Sequence, residues 1–142
     1  RYWGDRVAYA YAWRSLLDAG AILAFGSDAP VEPFNPLLGL YAAITRCQED
    51  GRPGPEGWRG EQRLTLEEAI RAYTWGPAYA AAMEDRLGLL KPGYYADLVV
   101  LDRAWKRKRY ADGFYPHPTP AALLETKIQR TMVGGEWRYR AP

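Results

Sequence analysis

The sequence is short of the residues that most often do chemistry: one cysteine, one histidine, two methionines and three phenylalanines in 142 residues. A single thiol, Cys47, excludes an internal disulfide framework. A single imidazole, His117, leaves too few ligands for a self-contained zinc site, which usually draws about three or four Cys, His or carboxylate donors. No apolar run approaches the roughly 18–20 residues of a membrane helix, and no charged-then-apolar signal segment opens the chain, so no membrane is expected and a cytoplasmic location is. Gly-rich phosphate loops, a Ser/His/Asp set and paired-carboxylate spacing are all missing. The first residue is Arg1, not Met, which sets the expectation of a processed product or a piece of something larger.

What is present is a globular composition: 48% hydrophobic, 25% charged and 14% aromatic, with 6 Trp and 11 Tyr. That excludes disordered and fibrous classes and suits one compact domain. The net charge of +2 is unevenly spread. Residues 1–102 carry ten basic and fourteen acidic side chains, and residues 103–142 nine basic and three acidic. Much of the excess sits in Trp105-Lys106-Arg107-Lys108-Arg109-Tyr110. Aromatics beside cations can attract phosphate backbones and stack bases. Four charges are a weak footprint, so the expectation is a solvated loop between two strands and no nucleic acid.

Periodicity supplies the elements. Tyr9, Ala12, Trp13, Leu16 and Leu17 recur at helical spacing before Gly20, predicting a helix from about Asp5 to Ala19. Ala21–Phe25 is wholly apolar, as in a strand buried on both faces. Gly26-Ser27-Asp28-Ala29-Pro30 breaks it, and Asn35-Pro36 opens a helix whose stripe is Leu37, Leu40, Tyr41 and Ile44. Gln48–Arg63 reads as a long surface loop. Thr65-Leu66-Glu67-Glu68 fits a capping box. Its helix breaks at Gly76-Pro77, with a second short helix over Ala78–Met83. Lys91-Pro92-Gly93 has type II turn chemistry. Leu98–Leu101 and Lys127–Val133 read as strands, with a helical turn from Thr119-Pro120 to Leu124 between them. Gly134-Gly135 turns the second strand into Glu136–Tyr139. The result is an α/β chain with a small β tail.

Asp28 is the most informative position. It follows a buried strand that feeds a loop and a helix, and ligands collect at that edge in parallel α/β folds. A carboxylate there can bind a metal and take a proton from metal-bound water. The plainer reading has Ser27-Asp28 capping a turn through its own backbone. His117, in a proline-rich loop, is expected to be idle. Cys47 is expected to be a small half-buried residue with no neighbouring His to activate it. Asp97 reads as a turn stabiliser, and Glu67 and Glu68 as servants of their helix start.

Four motifs combine in order. These are Tyr9–Leu17 with Gly20 and Phe25–Pro30, then Asn35-Pro36-Leu37 with its helix to Arg46, Leu64–Thr74, and Gly88–Asp102. Together they resemble the C-terminal part of a metal-dependent amidohydrolase (amidohydrolase family 3), in the branch similar to N-substituted formamide deformylases. The resemblance implies a (β/α)8 barrel with one or two divalent metals, joined to a small composite β-sandwich. Residues 1–86 then correspond to the end of the barrel, with Ala21–Phe25 as its last strand, and residues 87–142 to part of the sandwich. Asp28 matches the aspartate that binds the catalytic metal and shuttles a proton from attacking water to the leaving nitrogen. Asp97 matches a structural position.

The family's histidines and its mid-barrel lysine or carboxylate have no counterpart here and are expected before Arg1. The resemblance therefore implies hydrolysis of amide-like C–N bonds in small molecules by an intact enzyme carrying a divalent metal, zinc. The 142-residue chain alone is expected to be inactive and to hold no metal tightly. Its partners would be the missing N-terminal barrel portion and, through apolar edges around Ala21–Phe25, further copies of itself. The alternative is a stand-alone, non-catalytic binding or assembly module derived from this fold. Nucleic-acid binding through Lys106–Arg109 is a weaker third reading. Val31–Phe34 is expected to line part of the substrate pocket.

Overall fold

A computed structural model describes residues 3–105, 108–110, 113–115 and 120–142. The helices are α1 (Trp13–Asp18), α2 (Pro36–Thr45), α3 (Leu66–Tyr73), α4 (Trp75–Ala80) and α5 (Pro120–Glu125), with 3-10 turns at Gly4–Tyr9 and Gly60–Gln62. The strands are β1 (Leu98–Leu101), β2 (Lys108–Tyr110), β3 (Gly113–Tyr115), β4 (Ile128–Val133) and β5 (Glu136–Arg140). No described helix is long and apolar enough to cross a membrane.

The core joins α2, α3 and α5. Leu37, Leu40, Tyr41 and Ala43 of α2 pack with Leu64, Leu66, Ala69 and the fully buried Leu123. Both main helix starts follow from sequence. Asn35 Oδ1 accepts from the Leu37 N–H at 3.1 Å, with Pro36 in the first helical position. The Thr65 hydroxyl accepts from the Glu68 N–H at 3.2 Å, and Glu68 Oε2 accepts from the Thr65 N–H at 2.7 Å. Arg14 of α1 grips the same Glu68 with both Nη atoms, one of them at 3.0 Å from Oε1, tying α1 to the start of α3.

The tail is a three-stranded antiparallel sheet in the order β1-β4-β5. Leu98 faces Met132, and Thr131 faces Tyr139. Gly134 and Gly135, at φ +59° and +83°, make the β4–β5 turn that side chains with a Cβ would resist. Asp97 accepts from the Gly134 N–H at 2.6 Å, so it stabilises that turn as expected, across the sheet rather than locally.

Three expectations need correction. The helix over Asp5–Ala19 is two elements, broken around Tyr11 (φ +49°). Arg59 Nη1 donates to the Val7 and Ala10 carbonyls at 2.6 and 3.1 Å, occupying acceptors a continuous helix would use. Ala21–Phe25 is extended but not a strand: Leu23 and Phe25 are half-buried, while Ala21, Ile22 and Ala24 are exposed. Among the described residues no strand lies beside it; the Phe25 N–H goes instead to the Ala72 carbonyl at 2.7 Å. The apolar run therefore has one covered face, not two. Finally, α4 begins at Trp75 and takes Gly76-Pro77 into its first turn, where proline's missing N–H costs nothing. Gly76 is required there, because a Cβ would lie 2.0 Å from the Leu23 carbonyl oxygen.

Within the basic cluster, Lys106 and Arg107 lie outside the described residues. The backbone of residues 108–110 pairs antiparallel with 113–115 as the β2–β3 hairpin, in place of a plain loop. His117 also lies outside the described residues.

Candidate active-site loop

Asp28 stands at the end of the extended segment, in the left-handed region at φ +56°. Its carbonyl accepts the Val31 N–H at 2.9 Å, closing a tight turn. Aspartate is among the few non-glycine residues that visit this region readily. The carboxylate itself is exposed and has no hydrogen-bond or ion-pair partner among the described residues. The plainer reading of Asp28, a side chain bonding its own turn, is thus not what holds the loop; the backbone does so. The loop continues through exposed Val31 and Phe34, at 76% and 84% exposure, to the Asn35 cap.

A cleft of about 640 Å3 opens behind this loop. Gly26, Ser27, Glu32, Gly39, Cys47 and Tyr73 are among the residues that line it. Asp28 is not among its lining residues. Tyr73 lies in the Leu64–Thr74 motif, which assigns no role to its hydroxyl. Its hydroxyl lies where a Cβ on Gly39 would sit, 1.8 Å away, and burial holds its phenol above the ordinary pKa. The signal in the sequence was Gly39 itself, a glycine inside the apolar run of α2, where helix propensity alone disfavours it.

The other candidates have structural roles. Glu68 serves the capping box and Arg14, and hydrogen bonding from Arg14 above all lowers its pKa from 4.5 to about 2. Cys47 is a free thiol held by the Gly54 and Thr45 carbonyls at 3.2 and 3.6 Å. Trp105 donates from Nε1 to the Thr126 hydroxyl at 3.2 Å and packs on the core.

A divalent cation does not fit the described residues as a complete site. No group of three or more His, Cys, Asp or Glu side chains comes together among them. Asp28 is one donor, and a stable site needs several.

The chain matches the Amidohydrolase family over residues 1–139. It is 36% identical to YtcJ of Bacillus subtilis, named as an amidohydrolase, over 95% of this chain and 23% of that protein. It is 32% identical to N-substituted formamide deformylase of Arthrobacter pascens, over 89% of this chain and 21% of the enzyme. The fold resembles that of an amidohydrolase from Thermotoga maritima, with a TM-score of 0.63 at 21% identity, over 92% of this chain and 26% of that one. An uncharacterized metal-dependent hydrolase from Pyrococcus horikoshii matches with a TM-score of 0.56 at 33% identity, over 65% of this chain and 18% of that one. The chain thus spans about a quarter or less of each protein it resembles. The family match over residues 1–139 shows that the chain belongs to the Amidohydrolase family.

Proposed function

We propose that this chain is the C-terminal part of a metal-dependent hydrolase that cleaves amide-like C–N bonds in small molecules, with Asp28 as metal ligand and proton shuttle. The observation that carries the reading is the carboxylate of Asp28. It is held at the mouth of a turn by backbone geometry alone, and no described side chain engages it. A carboxylate so placed can take a proton from an attacking water and return it to the leaving nitrogen. In this reading residues 1–86 form the end of a barrel in the intact enzyme, where segment 21–25 would find neighbours and pair as the last strand, and residues 87–142 belong to a β-sandwich. The half-covered segment 21–25 supports this, since an extended run with one open face is built to be covered.

The metal-dependent relative from Pyrococcus supports a divalent cation, zinc in our reading, whose remaining ligands lie outside the described residues. The deformylase from Arthrobacter points to N-substituted formamides as the first substrates to assay. The free thiol of Cys47 accords with a reducing, cytoplasmic setting. Alone, the 142-residue chain is inactive and self-associates through segment 21–25, with its exposed Ile22, and the exposed neighbours Val31 and Phe34.

The test has two arms. Metal analysis of the isolated chain should find no stoichiometric zinc, and light scattering should find oligomers; tightly held zinc in a monomer would overturn the fragment reading. In a longer polypeptide that carries this segment and hydrolyses an N-substituted formamide, Asp28→Asn should reduce kcat by at least about a hundredfold, measured as formate released. Wild-type turnover in that variant would remove Asp28 from the mechanism.

A further inference from the structure

Arg46 ends α2 with φ +62° and is only 7% exposed, unusual burial for a guanidinium. It lies between two indoles, its guanidinium carbon 4.2 Å from the Trp13 ring centre and 5.2 Å from that of Trp58. Two reciprocal bonds fix it. Nε donates to the Trp58 carbonyl at 3.1 Å, and the Trp58 N–H donates to the Arg46 carbonyl at 2.8 Å. Gly57 permits that approach, since a Cβ there would meet the Thr45 carbonyl oxygen at 2.2 Å.

The cation so held is incompletely matched. Nη2 is buried and has no acceptor among the described residues. Burying a charged donor without an acceptor is costly, so the position favours whatever supplies one. Glu61, the carboxylate whose charge reaches Arg46, is bonded to Arg59 Nε at 2.9 Å, and Arg59 adds repulsion. Beside the guanidinium lies an open pocket of about 680 Å3 walled by Tyr11, Trp13, Arg46, Arg52, Pro53 and Trp58. Among the described residues no aspartate or glutamate lines it. Tyr11 and Trp58 leave 63% and 39% of their surfaces exposed, in an edge-to-face pair with centres 5.8 Å apart.

We propose that this pocket binds a small carboxylate carried on a planar apolar body, with the carboxylate on the Arg46 guanidinium and the ring against Trp13, Trp58 and Tyr11. Nε is committed to the Trp58 carbonyl, which leaves the two Nη atoms of the planar fork as the donors for a carboxylate. Aromatic walls reward a flat apolar group, and Arg46 selects its charge, since the other lining cation, Arg52, is already paired with Asp50 at 2.6 Å. Asp28 does not line this pocket, and the proposal does not depend on the hydrolytic reading.

Isothermal titration of the 142-residue chain with phenylacetate tests it, with phenylacetamide as the uncharged isostere and acetate as the charge without the ring. One saturable site for phenylacetate is expected, with each comparator at least about tenfold weaker. Arg46→Lys keeps the charge and removes the fork, and should weaken phenylacetate about tenfold. Because Arg46 also supports its surroundings, circular dichroism must show the variant folded; the ligand series on the unaltered chain decides without any variant. Absence of a saturable site, equal affinity for phenylacetamide, or unchanged binding by folded Arg46→Lys would each overturn the proposal.

Discussion

The helical core and the loop that carries Asp28 are built on opposite terms. Around α2, α3 and α5 the helix starts and the core side chains have their partners within the chain. Asn35 and Thr65 cap their helices, Glu68 answers both Thr65 and Arg14, and Leu123 sits fully buried between neighbours. From Ala21 to Phe34 only Leu23 and Phe25 pack on that core. The extended run has one covered face, Val31 and Phe34 stand in solvent, and the Asp28 carboxylate touches no described side chain. Folding free energy is concentrated in the first region, and the second is the candidate binding loop. That division is the usual one between scaffold and binding loop.

The sharpest way to break the contrast is to delete buried volume on one side and exposed volume on the other. Leu123→Ala should cost about 2–5 kcal/mol, because it opens a cavity among fully buried neighbours. Phe34→Ala, at 84% exposure, should stay within about 0.5 kcal/mol although it removes a larger side chain. Urea unfolding of the two variants measures both. A Phe34 variant as unstable as the Leu123 variant would show that the loop is packed, and the contrast would collapse.

A smaller effect separates the regions by pH. Hydrogen bonding from Arg14, against a desolvation cost and with help from Thr65, lowers the Glu68 carboxyl from 4.5 to about 2 in the folded chain. A group with a depressed folded pKa contributes stability that is whole above its unfolded pKa, near 4.5, and is lost as pH falls through about 2. Glu68→Gln should therefore destabilise at pH 7, by about 1 kcal/mol after solvent screening of a partly exposed pair. The gap from the unaltered chain should narrow between pH 4.5 and 2. Unfolding midpoints taken at pH 7, 4 and 2 would show it, and a gap independent of pH would remove the Arg14 pairing as its cause.

What could be read from sequence follows the same division. Asn35-Pro36, Thr65-x-x-Glu68 and Gly134-Gly135 are local rules, and each appears as written. Asp97 was legible as a turn former, though its partner Gly134 lies 37 residues away. The break at Tyr11 was hidden because Arg59, 49 residues beyond Ala10, takes the carbonyls. The covering of Ala21–Phe25 was hidden because an apolar pentapeptide does not say how many of its faces will be packed. Arg46 was hidden for both reasons: its cage is assembled from Trp13 and Trp58, one on either side in sequence, and a lone arginine carries no pattern.

The smallest effect on stability should come from the residue with the largest proposed role. Asparagine tolerates the left-handed backbone as well as aspartate does, and the Asp28 carboxylate has no described partner to lose. Asp28→Asn should thus shift the unfolding free energy by less than about 0.5 kcal/mol. Asp28→Ala should cost about 1–2 kcal/mol, because alanine pays for φ +56° in backbone strain. Urea unfolding of the pair distinguishes backbone from charge: a carboxylate kept for structure would make the asparagine variant the unstable one. If Asp28→Asn is neutral for folding while the longer enzyme loses turnover, the charge at this turn serves chemistry and its geometry serves only to present it.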